Sequence, residues 1–82
     1  MSAVPDYAAF AELYTGYSRL GARRSHYERF ATAAEAIRFV AERMPRHLLR
    51  GAALDVGDDR YEGEAILALY LSSAYPLERA TR

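Results

Sequence analysis

Residues 65–77, AILALYLSSAYPL, run for thirteen positions without a charged side chain, in a chain where 27% of residues are charged. No other feature limits the fold so much. The stretch falls short of the roughly 18 apolar residues of a membrane span, so protein must cover it. At helical spacing Ile66, Leu67, Leu69, Tyr70 and Leu71 spread over roughly 200° of the circumference, about twice an ordinary buried stripe. Ala65, Ala68 and Ser72 occupy the rest, and such small side chains let a second helix come close. Two arrangements satisfy this pattern. Either the helix is central, between a sheet and an N-terminal helix, or Leu71, or Leu69 on the other flank, faces a second chain.

Size sharpens the choice. A chain of 82 residues makes one domain, residues 1–82, whose net stability is about 4–12 kcal/mol at typical per-residue values. Domains this small lean on disulfides, metals or partners. There is no cysteine, which excludes disulfides and thiolate zinc sites. The hydrophobic share of 51% suffices for a core and argues against disorder. Good packing or oligomerisation remains.

Elsewhere the pattern alternates between helix and strand. VPDYAAFAELY is Ala-rich, starts at Pro5, and repeats Tyr7, Phe10 and Tyr14 at helical spacing. It predicts a short N-terminal helix over about residues 5–13. A hairpin follows, its tip formed by the arginine-bearing GARRS. In HYERF, Tyr27 and Arg29 point to one side, and His26, Glu28 and Phe30 to the other. ATAAEAIRFVAERMP is the clearest helix. Thr32 and Glu35 form a capping box, Ala33, Ala36, Ile37, Val40, Ala41 and Met44 share a stripe, and Pro45 stops the pattern. LLRGAALDV reads as a strand and GDD as its turn. Residues 60–62 fit either a return strand or the start of the last helix, with Asp59 and Glu62 as a capping pair in the second case. That last helix spans about 63–74. No repeat, linker or low-complexity segment interrupts the chain. The fold class expected is α+β: a small antiparallel sheet, a hairpin plus one or two further strands, packed against two main helices, with a short N-terminal helix.

Charge restricts the partners. Eleven basic residues balance eleven acids, so no global field draws the chain to nucleic acid or an anionic membrane. Residues 1–50 carry a net +3 and residues 51–82 a net −3, an asymmetry that arises by chance or suits head-to-tail pairing. Every basic residue is Arg, and Ala occurs sixteen times. A GC-rich bacterial genome explains that bias, because Lys codons are AT-rich. MSAVPDY lacks a basic region followed by an apolar run, so it is no signal peptide, and the cytoplasm is the expected compartment.

The expected contact surface is the last helix, with Leu67, Leu69, Tyr70 and Leu71. Phe39, which falls off its own stripe, and Tyr75 and Leu77 beyond the helix extend it. Burying one Leu is worth roughly 1.5–3 kcal/mol, which matters to a chain this marginal. The competing surface is the hairpin: Arg19, Arg23 and Arg24 near its tip, with Arg29, Tyr17 and Tyr27, suit phosphate pairing and base stacking. Three phosphate contacts would give a salt slope of about −2.7.

No catalytic residue is expected. His26 and His47 have no nucleophile at a diagnostic spacing, the serines lack a nucleophile elbow, and the glycines are isolated. The acids of DVGDDRYEGE do not follow the Ca²⁺-loop order; acids before a helix answer its positive end. The expectation is a non-catalytic bacterial protein, a regulatory or accessory factor that forms a homodimer or binds another protein. It would use no cofactor, metal or membrane, and nucleic-acid binding is the alternative.

Overall fold

The structure is a computed structural model, and it describes residues 5–15 and 26–77. Four strands and two α-helices follow in the order β1 (Ala11–Thr15), β2 (His26–Phe30), α1 (Ala33–Glu42), β3 (Ala53–Val56), β4 (Asp59–Glu62) and α2 (Glu64–Leu71), with a 3₁₀ helix, Arg46–Gly51, between α1 and β3. The strands form one antiparallel sheet in the order β2-β1-β3-β4. The α+β class and the antiparallel sheet with helices match the sequence pattern.

Alternation in the strands makes two unlike faces. Ala11 and Leu13 of β1 and Leu54 and Val56 of β3 are buried, and with Ile37 and Val40 of α1 and Ile66 and Leu69 of α2 they form one core cluster. The residues between them point to the opposite face, which neither helix covers.

The N-terminal helix is not there. Residues 11–15 form β1, paired on both sides, and residues 7–9 form a turn and bend. The reason lies in the hydrogen bonds. Asp6 holds the turn, its carboxylate accepting from the Ala8 amide at 3.1 Å and its carbonyl from Ala9 at 3.0 Å. The carbonyls that a helix would use internally are engaged elsewhere: Ala9 accepts from the Ala33 amide at 2.6 Å and Tyr7 from Ala34 at 3.0 Å. These are first-turn donors of α1, which need outside partners. Thr32 Oγ1 accepts from the Glu35 amide at 3.2 Å, the hydroxyl half of the expected capping box. The third helical element is instead the 3₁₀ helix after Pro45, and β3 is shorter than LLRGAALDV suggested.

β3 and β4 close through Gly57, whose φ of 61° suits the first position of a tight hairpin turn. Residues 60–62 are strand. Gly63 then turns the chain straight into α2 with φ 54°, a backbone region that favours glycine, so the Asp59–Glu62 capping pair does not form. α2 ends at Leu71, and residues 72–75 turn back on the core. There the buried Tyr75 hydroxyl donates to the Ala34 carbonyl at 2.7 Å. Its ring meets Tyr7 edge-on at 5.8 Å and Tyr70 at 5.2 Å.

Candidate functional site

Three surfaces can meet a partner: the outer side of α2, the uncovered sheet face, and a cleft beside β4.

On α2, Ile66 and Leu69 are buried, Leu67 and Tyr70 are half-buried, and Leu71 is 72% exposed. The Tyr70 hydroxyl donates to Glu42 of α1, which fixes the side of α2 that faces α1. Around Leu71, Ala65, Ala68 and Glu64 are exposed too, so the outer side is a leucine among alanines with one charge. Of the seven expected contact residues, Leu71 alone stands free of the core. Leu69 and Tyr75 are buried in it, and Phe39, Leu67, Tyr70 and Leu77 pack against it. The Phe39 ring lies 5.7 Å from that of Phe30 on β2. What packs on α2 is α1 and the Tyr7 turn, not an N-terminal helix.

The sheet's uncovered face gathers Tyr27 and Arg29, which the sequence singled out, with groups that sequence reasoning missed. Cross-strand pairing sets Tyr14 opposite Tyr27 and Glu12 opposite Arg29. The tyrosine rings lie 5.1 Å apart. The Tyr27 hydroxyl donates to Glu12 Oε2 at 2.7 Å, and that bond raises the phenol's pKa. The Arg29 guanidinium sits 4.8 Å from the centre of the Phe10 ring. Farther along, Arg60 grips Asp55 through two bonds of 2.7 and 3.0 Å and lies 5.6 Å from the Tyr14 ring centre. Those bonds hold the Asp55 carboxyl below its ordinary range and raise the Arg60 guanidinium. Glu12, Asp55 and Glu62 outnumber Arg29 and Arg60 here, so the field does not favour phosphate. Reading AELYT as a strand would have found this face, because Glu12 and Tyr14 alternate with Ala11, Leu13 and Thr15.

Of the expected anion-binding residues, Tyr27 and Arg29 are on this face. Tyr17, Arg19, Arg23 and Arg24 lie outside the described residues, as does the GARRS tip.

The cleft, about 730 Å³, runs between the 3₁₀ helix and the β4–α2 junction. Arg46, His47, Arg50, Glu62 and Glu64 line it, two guanidiniums against two carboxylates. A second hollow of about 410 Å³ shares Arg50 and Glu62 and reaches Tyr14 and Arg60. Neither lining holds Ser, Thr or Cys, so no aliphatic hydroxyl or thiol stands beside His47. Among the described residues no group of three or more His, Asp or Glu could hold a metal ion, and no helix is long and apolar enough to cross a membrane.

In comparisons with known proteins, no family model matches the chain, and neither does any curated protein or solved structure.

Proposed function

We propose that this protein acts by contact with other protein, as a small accessory or regulatory factor without chemistry of its own, and that its first partner is a second copy of itself met through α2. The observation that carries the reading is Leu71, 72% exposed on a helix whose outer side is otherwise mostly alanine. One further feature supports it: a domain of this size gains proportionately from shared apolar burial. The setting that fits is a bacterium, given the all-arginine, alanine-rich composition. The test is mass in solution. Wild-type protein sediments as a dimer, and Leu71→Arg gives a folded monomer; a variant that keeps the wild-type mass refutes the α2 contact. Leu69→Arg is no test, because it places a charge inside the core.

A second reading, nucleic-acid binding, has one observation in its favour: the tilted rings of Tyr14 and Tyr27 lie side by side with Arg29 and Arg60 on an uncovered sheet, a platform for bases. The three carboxylates on the same face count against it. Retention on heparin at low salt, lost in Arg23→Ala/Arg24→Ala, supports this reading; no retention removes it.

A further inference from the structure

The sheet ends at β4, and the phase of its hydrogen bonds determines what that edge offers. The Gly63 amide donates to the Ala52 carbonyl at 3.1 Å. Antiparallel ladders alternate bonded and non-bonded pairs. Given the register, Ala52–Gly63, Leu54–Tyr61 and Val56–Asp59 are therefore the bonded pairs. Arg60 and Glu62 then aim their amides and carbonyls away from β3, outward at the edge. Both residues are exposed, and both side chains lie on the uncovered face.

An edge of this kind is a template for another strand, and charge is the usual guard against stray pairing. Here the guard alternates in sign. A second β4, antiparallel about a two-fold axis normal to the sheet, can join the outward groups of Arg60 and Glu62 in three registers. One sets Arg60 against the other copy's Arg60, and another sets Glu62 against Glu62; like charges directly opposite are destabilising. The third centres on Tyr61 and sets each Arg60 opposite the other copy's Glu62.

We propose that β4 pairs with β4 of a second copy in this Tyr61-centred register, merging two four-stranded sheets into one. Each Arg60–Glu62 pair exchanges two main-chain hydrogen bonds. The guanidinium has five donors, so it holds Asp55 of its own chain and Glu62 of the other together. The two Tyr61 residues meet at the axis as a non-bonded pair, where side chains approach most closely. α2 follows β4 directly through Gly63, so both copies of α2 lie on one face of the merged sheet. The inference rests on the reading that the protein self-associates, and it adds the edge and the register.

Charge exchange tests it. Arg60→Glu and Glu62→Arg each set like charges opposite one another, so each variant alone halves the wild-type mass while keeping its circular dichroism. Mixed in equal amounts, the acidic edge of one variant meets the basic edge of the other, and a heterodimer of wild-type mass returns. Folded variants that stay monomeric on mixing overturn the proposal, as does a wild-type protein that is always monomeric. Should a charge variant not fold, Tyr61→Cys decides instead. Non-bonded partners sit about 4.5 Å apart between Cα atoms, within disulfide reach, and the chain has no other cysteine. Mild oxidation then links the dimer, and a folded variant that stays unlinked overturns the pairing. The two contacts also separate. If Leu71→Arg dissociates the dimer while neither edge variant does, the α2 contact stands and the β4 pairing falls. If mixing restores the dimer while Leu71→Arg leaves it intact, the β4 pairing stands alone.

Discussion

The two α-helices join one core, yet the chain finishes only one of them. α1 is closed at its start by the Tyr7 and Ala9 carbonyls and the Thr32 hydroxyl. It buries Ala33, Ala36, Ile37 and Val40 while Glu35 faces water. α2 starts at Gly63 with no side-chain cap and buries Ile66 and Leu69, but leaves Leu71 outside. The difference teaches that contrast between faces, not apolar content, marks a helix whose covering is complete. α1 has that contrast and is covered within one chain; α2 lacks it and is not.

Three substitutions probe this difference. Ile37→Ala removes a fully buried side chain from α1 and lowers stability by about 3–4 kcal/mol in denaturant titration. A loss below about 1 kcal/mol would mean that α1 is not central to the core. Thr32→Ala removes the cap of α1 and lowers stability by about 1 kcal/mol, read from the same titration; no residue of α2 has an equivalent. Leu71→Ala, measured in dilute solution where copies do not associate, changes stability by no more than about 0.5 kcal/mol. A larger loss there would show that Leu71 is covered within its own chain, and the contrast between the helices would vanish.

What could be read from the sequence follows the range of the forces involved. α1 was legible because its signals are local: Thr32 caps an amide three residues on, the stripe repeats each turn, and Pro45 forbids continuation. The HYERF alternation and the turn at Gly57 were legible for the same reason. The segment over residues 5–13 was not. Its alanines favour a helix in isolation, but the Tyr7 and Ala9 carbonyls serve amides of α1, and Ala11–Thr15 bonds to two other strands. Those partners lie far away in sequence, and they override local propensity. The wheel of α2 was right about its excess apolar width yet could not tell Leu69 from Leu71, since the choice depends on where α1 and the Tyr7 turn lie. Tyr75 looked like a contact residue, but its hydroxyl meets a carbonyl 41 positions away, a distance no local pattern encodes. The ion pair of Asp55 and Arg60 became visible only once the register of β3 and β4 placed them side by side.

The Tyr75 clasp has a consequence for the making of the protein. A nascent chain that has emerged from the ribosome only as far as Leu71 already contains the four described strands and both described helices, yet it lacks the ring that seals the start of α1 and steadies Tyr7. Since that contact closes a long loop, the Ala34 carbonyl and the Tyr7 ring gain this partner only once residue 75 has emerged. Before that moment the growing polypeptide shows its unsealed interior to whatever chaperone or protease arrives first.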